Sequence, residues 1–359
     1  MAGKISITFC AGFSARPVGG EKVIYELANK LVDKGYQINI VADVSKRLLG
    51  THLPLKVRKS ICNQLIQLRK MPSWFYLDQR INLIAAYSYE NDNFPDSNYV
   101  VATAVDTAIP VSKLSPEKGE KIYLIQDYEN WVYSDDYVKH TYKLSMKDIV
   151  ISHSLYDIVS KNTDNNVYLI PNAIDINLFK PVVRVNDRNK YVVGLLNHNG
   201  EHKGVKYSIE ALKIAKKTYP QLQVIMFGAP KRPNDLPEWF KYYRNVPYKD
   251  MYKIFNQCAI YLCGSIDEGF GLTGAESMAC GCALVSTEFK AVHEYAVNNR
   301  NALLSPVKDS IALANNLIKV IENDELRYKL AMNGIHDMSL RNWDNFIKKF
   351  EEMLKDGKN

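Results

Sequence analysis

The chain has 359 residues, of which 47% are hydrophobic and 24% charged, and 46 basic against 39 acidic residues give a net charge of +7. This composition is typical of a globular protein, and the length indicates two domains of roughly 150–200 residues. The basic excess is spread along the chain, which argues against a nucleic acid partner and fits an anionic ligand or a membrane surface.

The first half of the chain alternates strand and helix patterns. Short apolar runs at 4–10, 36–43, 99–105, 121–127 and 148–154 are typical of parallel strands. Residues 19–35 place apolar side chains at helical spacing and end at Gly35, which predicts a helix. The charged, unpatterned segment at 180–190 is interpreted as a linker.

The second half repeats this pattern. Apolar runs at 191–196, 222–228, 259–265, 282–287 and 302–306 are predicted strands, and residues 204–220 are a predicted helix. Repeated β–α units predict parallel sheets with helices on both faces. The sequence therefore predicts an α/β protein with two Rossmann-like, doubly wound domains facing a cleft, where ligands bind at the carboxyl ends of the strands.

One glycine-rich stretch, DEGFGLTGAES at 267–277, follows a predicted strand and opens a predicted helix. Glycines let backbone N–H groups approach an anion, and a helix N-terminus adds its positive dipole end. Glu268 and Glu276 flank the turn, and carboxylates accept hydrogen bonds from sugar hydroxyls. The pattern fits a diphosphate between two sugars, as in a nucleotide sugar; an ordinary β–α turn with two solvated acids is the alternative.

This stretch, together with MACGCALVST at 278–287, resembles the signature of family 4 glycosyltransferases, retaining enzymes of the GT-B fold. Residues 19–41, 167–181 and 201–204 resemble further segments of that family in the same order, so the resemblance covers nearly the whole chain. It implies an acceptor-binding N-terminal domain at 1–180 and a nucleotide-sugar-binding domain at 181–340. The last helix, at 341–359, is expected to return to the N-terminal domain.

The resemblance also implies a role for individual residues. Glu268 would face the donor sugar and Lys203 would neutralise the departing diphosphate, which makes these two the expected catalytic residues. The other expected donor-site residues are Glu276 at the ribose, Gly271, Leu272 and Thr273 at the diphosphate, and Asn197 or His198 in place of a family arginine.

Further positions are expected to contact the donor sugar or the acceptor. Gln126 or Asp127 occupies the place of a family histidine, and Gly19 and Gly20 form the first loop. Tyr128 and Trp131 would stack on an acceptor sugar, with ordinary packing as the alternative. Lys206 or Arg232 would compensate for the replaced arginine.

The expected reaction is transfer of a sugar from a nucleotide sugar to a glycan or lipid-linked acceptor, with retention at the anomeric carbon. Because the sequence has no Asp-x-Asp motif, we expect no metal and no other cofactor. The expected setting is synthesis of surface polysaccharide or glycolipid. Three alternatives stay open: a nucleotide-sugar epimerase of the same fold, a glycogen-synthase-like polymerase of the same fold, and a non-catalytic module that binds a nucleotide sugar or glycan.

Two features bear on location. The six cysteines show no C-x-x-C spacing, which indicates a reducing, cytoplasmic compartment and no structural zinc. Residues 56–80 mix Lys56, Arg58, Lys59, Arg69 and Lys70 with apolar side chains that include Trp74 and Phe75. Such a segment could lie on the anionic inner face of the plasma membrane; a helix packed on the core, with solvated charges, is the alternative.

Overall fold

The computed structural model describes residues 4–14, 16–44 and 53–356, without the side chain of Lys59. The chain forms two units, one of residues 1–171 with 347–359 and one of residues 172–346. The division therefore falls after Pro171, whereas the sequence placed the boundary after residue 180.

The first unit contains a seven-stranded parallel sheet with the strand order β3-β2-β1-β4-β5-β6-β7. Its elements among the described residues are β1 (Ser6–Cys10), α1 (Gly19–Asp33), β2 (Gln37–Asp43), α2 (Leu55–Gln67), β3 (Asn82–Ala86), β4 (Tyr99–Ala102), α3 (Val105–Ser112), β5 (Glu120–Ile125), α4 (Asp135–Tyr142), β6 (Lys147–Val150), α5 (His153–Val159) and β7 (Val167–Leu169). Phe9 of β1 pairs with Ile40 on one side and Val101 on the other. The winding direction thus reverses between β1 and β4, and this reversal is the switch point where ligands bind in such sheets.

The second unit contains a six-stranded parallel sheet with the order β10-β9-β8-β11-β12-β13. Its elements are β8 (Val192–Asn197), α6 (Val205–Thr218), β9 (Gln223–Gly228), β10 (Phe240–Arg244), α7 (Met251–Phe255), β11 (Ile260–Cys263), α8 (Leu272–Ala279), β12 (Ala283–Thr287), β13 (Ala302–Ser305), α9 (Ser310–Glu322) and α10 (Asp324–Ser339), followed by α11 (Trp343–Lys355). The order of its strands is that of a Rossmann fold, with the switch point between β8 and β11. The prediction of an α/β chain with two doubly wound, Rossmann-like domains is confirmed.

Burial explains why these segments form the sheets. In the second unit, residues such as Val193, Leu195, Ile260 and Leu262 are at most 2% exposed, because helices cover both faces of the central strands. β3 and β10, which the sequence did not predict, are the two edge strands on the β2 and β9 sides. The sequence of β10, FKYYR, is only partly buried and so carries no continuous apolar run.

The end of α11 belongs to the first unit. Phe350, Met353 and Leu354 are buried, and Tyr99 Oη donates a hydrogen bond to Leu354 O at 2.6 Å. Tyr36 Oη donates to Glu351 Oε1 at 3.1 Å. These contacts attach the last turns of α11 to β4 and to the residue that precedes β2.

The segment after residue 180 is part of the second unit. Arg188 is 7% exposed, and its guanidinium donates hydrogen bonds to Val183 O, Cys258 O and Cys280 O and to Asn256 Oδ1. These bonds hold the segment against the ends of α7 and α8. Among the described residues, no helix has the length and apolar character needed to cross a bilayer.

Candidate functional site

The switch point of the second unit brings together the loops that follow β8 and β11. Gly204 has a left-handed backbone with φ +52°, and a Cβ at this position would lie 1.9 Å from Gly264 O. Glycine is therefore required where the two loops cross. His202 O accepts hydrogen bonds from Ile266 N at 2.7 Å and from Asp267 N at 3.2 Å. These contacts fix the turn that carries Lys203 against the stretch that carries Glu268.

Lys203 and Glu268, the two expected catalytic residues, form an ion pair with 3.2 Å between Nζ and Oε2. Their side chains are 19% and 8% exposed, so water screens the pair less than it would at an open surface. Ser265 Oγ donates to the other oxygen, Glu268 Oε1, at 2.5 Å. The carboxylate is therefore held from both sides. Ser265 was not identified from the sequence. The only indication there is its closeness to Glu268, which follows three residues later.

α8 begins at Leu272, immediately after Gly271, as expected for the glycine-rich turn. Gly271 has φ +91°, and a Cβ there would lie 2.6 Å from Tyr295 Oη and 2.8 Å from Phe289 Cζ. Tyr295 Oη donates to Gly271 O at 3.0 Å. The first turn of α8, with Leu272 and Thr273, thus places backbone N–H groups and the positive end of the helix dipole at the carboxyl edge of the sheet.

Glu276 lies on the second turn of α8 and is 4% exposed. Burial raises the pKa of Tyr261, and the charges of Cys263, Glu268 and Glu276 raise it further, while a hydrogen bond with the Thr273 side chain lowers it. Tyr261 therefore lies within electrostatic reach of both glutamates. The structure brings Lys203, Glu268, Gly271, Leu272, Thr273 and Glu276 to one edge of one sheet.

His198 also lies at this edge. Burial lowers its pKa, and the charge of Lys203 lowers it further, while Glu268 opposes the change. Gly200 N donates to His198 Nδ1 at 2.9 Å, which leaves the proton of the neutral ring on Nε2. His198 thus offers a neutral donor in the place where the resemblance implies a permanently charged arginine.

Asn197 is placed differently. Its side chain is buried, and Nδ2 donates to Tyr242 Oη of β10 at 3.0 Å. Lys206 extends over the ring of Tyr207, and Arg232 Nη2 donates to the backbone oxygens of Leu236 and Pro237. The contacts of these three side chains are thus with Tyr242, with Tyr207 and with the backbone at 236–237.

At the carboxyl edge of the first unit, the structure places Gln126 against the start of α1. A Cβ at Gly20 would lie 3.4 Å from Gln126 Nε2, and Gln126 Nε2 donates to Thr103 O at 3.4 Å. Gly19 is the first residue of α1. Asp127 Oδ1 accepts a hydrogen bond from Tyr128 N at 2.8 Å.

A carboxylate in the first turn of α1, that of Glu21, is bound by the loop that follows β1. Glu21 accepts hydrogen bonds from Ser14 N at 2.9 Å, from Ser14 Oγ at 2.5 Å and from Tyr25 Oη at 3.1 Å. A Cβ at Gly12 would lie 2.3 Å from Glu21 Oε1, so glycine allows the loop after β1 to close on this carboxylate. Glu21 was not identified from the sequence, although an acid in the first turn of a helix is the relevant signal.

The two aromatic candidates differ in exposure. Tyr128 is half-buried and its hydroxyl donates to Asp135 Oδ1, whereas Trp131 is 56% exposed.

Segment 56–80 differs from its expected amphipathic pattern. Trp74 and Phe75 pack on Tyr25 with ring centroids 5.7 and 5.5 Å apart, and Arg69 donates to Gln79 O and Ile81 O. The side chain of Lys59 lies outside the described residues.

A chain with two Rossmann-like units of this topology has the fold class GT-B. The solved structure of Anabaena Alr3699/HepE in complex with UDP and glucose matches 98% of this chain and 100% of that chain, with a TM-score of 0.75 and 17% identity. In sequence, residues 179–337 match the family model described as "Glycosyl transferases group 1".

Curated relatives carry names of glycosyltransferases. The Streptococcus agalactiae protein named "UDP-N-acetylglucosamine--peptide N-acetylglucosaminyltransferase GtfA subunit" is 24% identical over 167 residues, which are 41% of this chain and 33% of that protein. The Mycobacterium tuberculosis "Phosphatidyl-myo-inositol mannosyltransferase" is 24% identical over 189 residues, 49% of this chain and 50% of that protein. The chain thus spans a third of the length of the first of these relatives and half of the second.

Proposed function

We propose that this chain is a retaining, metal-independent glycosyltransferase that moves a sugar from a nucleotide sugar to a glycan or lipid-linked acceptor. The observation that carries the proposal is the edge of the second sheet, where Lys203 and Glu268 pair at 3.2 Å beside the N-terminus of α8. The match of residues 179–337 to group 1 glycosyl transferases and the names of the relatives support it.

The donor is proposed to bind with its diphosphate at Gly271, Leu272 and Thr273. The N–H groups and dipole of α8 would bind the phosphate oxygens, and Lys203 would balance the negative charge that grows on the diphosphate as the sugar leaves. These groups do the electrostatic work that a divalent cation does in other transferases, which is why we propose that no metal is needed.

The two glutamates are proposed to recognise hydroxyl groups on either side of the diphosphate. Glu268, held by Ser265 and Lys203, would face the donor sugar, and Glu276 would bind the ribose. In the proposed reaction the acceptor hydroxyl attacks on the face that the diphosphate leaves, and a phosphate oxygen takes its proton. No side chain of the protein is then required as a general base.

A panel of UDP-, GDP- and dTDP-sugars in a thermal-shift assay tests donor binding. A donor at 100 times its Kd should raise the stability by roughly 2.7 kcal/mol. A UDP-sugar is the first choice, because the solved Anabaena relative is a complex with UDP and glucose. The absence of any shift across the panel would refute the proposal.

Two substitutions test the assigned residues. Glu268→Gln and Glu276→Ala should each lower transfer by roughly 100-fold or more, since each removes contacts of a few kcal/mol in the transition state. Glu210→Gln, at an exposed position on α6, is the matched control and should transfer normally. Full activity of both variants would remove the roles proposed for these glutamates, and activity that is lost on adding EDTA would refute metal independence.

Within the expected segment 56–80, a peripheral membrane contact is proposed for the exposed face of α2 and the residues just after it. On α2 and just after it, Leu55, Val57 and Leu68 are exposed together with Lys56 and Lys70, while Cys62 and Ile66 face the core. Exposed apolar groups beside lysines suit an anionic lipid surface. Flotation with vesicles of phosphatidylcholine, with and without phosphatidylglycerol, tests this; equal recovery with both would refute an electrostatic contribution.

A further inference from the structure

The loop after β8 contains one of the two Asn-Gly pairs of the chain, Asn199–Gly200, and the other pair is Asn333–Gly334. Asparagine is a chemically labile residue, and it is most exposed to loss of its side-chain amide when glycine follows. Glycine has no side chain that would keep its backbone nitrogen away from the asparagine carbonyl carbon. The structure places the two pairs in opposite environments.

In the first pair, the reacting groups are accessible. Asn199 is exposed, and its side chain forms no hydrogen bond within the described residues. Gly200 directly precedes the short 3₁₀ helix Glu201–Lys203. A Cβ at Gly200 would lie 2.5 Å from His202 Cε1 and 3.1 Å from His198 Nδ1, so the packing of the two imidazoles requires glycine here. The loop therefore keeps a bare backbone nitrogen next to an unrestrained amide.

The proton on this backbone nitrogen already has an acceptor. Gly200 N donates a hydrogen bond to His198 Nδ1 at 2.9 Å. Partial burial lowers the pKa of His198, and the charges of Lys203 and His202 lower it further, while Glu268 opposes the change. The ring is therefore neutral near pH 7. A neutral imidazole at hydrogen-bond distance can take up a proton as a general base.

The second pair differs in each respect. Asn333 Nδ2 donates a hydrogen bond to Arg300 O at 2.7 Å, which fixes the side-chain amide. Gly334 is buried inside α10. In a helix interior the backbone N–H group is bonded to the carbonyl oxygen four residues earlier, so this nitrogen is not available for attack. Asn333 is thus an internal control within the same chain.

We propose that Asn199 is a modification site that deamidates in the folded protein, with His198 as the base. Gly200 N gives its proton to His198 Nδ1 and forms a bond to Asn199 Cγ. The bond from Cγ to Nδ2 breaks, and Nδ2 leaves as ammonia with the proton returned by the imidazole. One water molecule then opens the cyclic imide at either carbonyl, which leaves aspartate or isoaspartate at position 199. No oxidant or reductant is consumed.

The product alters the edge that is proposed to bind the diphosphate, and this consequence rests on the proposed function. Aspartate adds a negative charge to the loop that carries Lys203. Isoaspartate also lengthens the main chain by one carbon just before Gly200, whose carbonyl oxygen accepts a hydrogen bond from Lys203 N at 3.1 Å. We expect the modified protein to bind UDP roughly 10-fold more weakly, because like charges are brought together.

Peptide mapping by mass spectrometry measures both sites in one sample of protein kept at pH 7 for increasing times. Each lost amide changes the mass of its peptide, and a protein isoaspartyl methyltransferase labels the isoaspartate fraction. We expect Asn199 to deamidate about 10-fold faster than Asn333, or more, in the folded protein. In urea, where both pairs are unfolded, the two rates should become similar.

His198→Phe separates the base from the Asn-Gly pair, because phenylalanine keeps a ring in place and cannot accept the proton. Deamidation at Asn199 should slow by about 10-fold in this variant. Asn333 should stay unreacted, which shows that the variant is folded.

Asn199→Gln is the matched control for binding, because it keeps an amide whose longer side chain closes the ring much more slowly. In calorimetric titration with UDP, aged wild-type protein should bind more weakly than fresh protein. Aged Asn199→Gln should bind as its own fresh sample does.

The outcomes separate this inference from the proposed function. Equal rates at Asn199 and Asn333 in the folded protein would refute the modification site, and an unchanged rate at Asn199 in folded His198→Phe would refute the role of the base. Modified protein that binds UDP as tightly as fresh protein would refute the effect on the edge. Fresh protein that binds no nucleotide would refute the proposed function, and the peptide map would still decide whether Asn199 is modified.

Discussion

Asp148 provides a test of the structure that is independent of any ligand. It lies on β6, is 0% exposed, and accepts a hydrogen bond from Asn165 Nδ2 at 3.2 Å through Oδ2. Its Oδ1 is buried and has no hydrogen-bond partner. Burial raises the pKa of Asp148 from 3.8 to about 7, although hydrogen bonds with Asn165 and Thr163 lower it. The folded protein therefore favours the protonated carboxyl.

The sign of the effect on stability follows from this raised pKa. Below pH 3.8, the pKa of Asp148 in the unfolded chain, the carboxyl is protonated in both the folded and the unfolded protein, and its contribution to the stability of the fold is largest. This contribution is lost as the pH rises through about 7, the pKa in the folded protein. The whole difference corresponds to roughly 4 kcal/mol, of which about 2.5 kcal/mol falls between pH 5 and pH 8. Asp148→Asn removes the ionisation, so its stability relative to the wild type should increase by about that amount over this interval.

Urea unfolding followed by circular dichroism at pH 5, 6, 7 and 8 measures the effect. Asp157→Asn, at an exposed position on α5 of the same unit, is the matched control and should follow the wild type at every pH. The comparison depends on the slope with pH and is insensitive to the fixed cost of burying the new amide. If the curves of Asp148→Asn and the wild type run parallel, the burial of an ionisable carboxyl at this position is refuted.

Two further predictions concern the edge of the second sheet. Burial and the charge of Lys203 lower the pKa of His198, so the wild type should bind UDP more tightly as the pH falls. The variant His198→Arg should bind UDP several-fold more tightly at pH 7, with little dependence on pH. If calorimetric titration finds no such difference, the proposed position of this ring near the diphosphate is contradicted. Gly271→Ala should destabilise the fold by about 2–4 kcal/mol in thermal unfolding, since it combines a left-handed backbone with contacts of 2.6 and 2.8 Å to Tyr295 and Phe289. Gly35→Ala is the matched control, because φ of Gly35 is +93° and an added Cβ would have no atom within 4 Å. This variant should lose only the backbone strain of about 1–2 kcal/mol. Equal losses of stability in the two variants would show that Gly271 is not tightly packed against Tyr295.

Much of the fold could be predicted because the central strands of a covered parallel sheet are buried on both faces. Runs such as YVVGLL and AIYLCGS must then be continuously apolar, and they mark β8 and β11 directly. The edge strands β3 and β10 carry no such requirement and were missed. The glycine-rich turn was also predictable, since the positive φ of Gly271 and the start of α8 both follow from local sequence.

The parts of the site that could not be predicted depend on contacts between distant segments. The pairing of Lys203 with Glu268 joins residues 65 positions apart through the crossing of Gly204 and Gly264. Spacing along the chain does not contain this contact.

The two sheets share a strand order around β1 and β8, yet the groups at their switch points favour different ligands. In the second unit, the helix that follows β11 begins at a glycine, and the nearby Lys203 is cationic, so the edge suits an anion. In the first unit, Glu21 lies in the first turn of α1, and Glu129 accepts a hydrogen bond from the first N–H group of α3. An incoming phosphate would meet carboxylates at both helix starts. The same backbone topology therefore gives one edge that suits an anion and one that disfavours it, and the side chains near the helix N-termini make the difference.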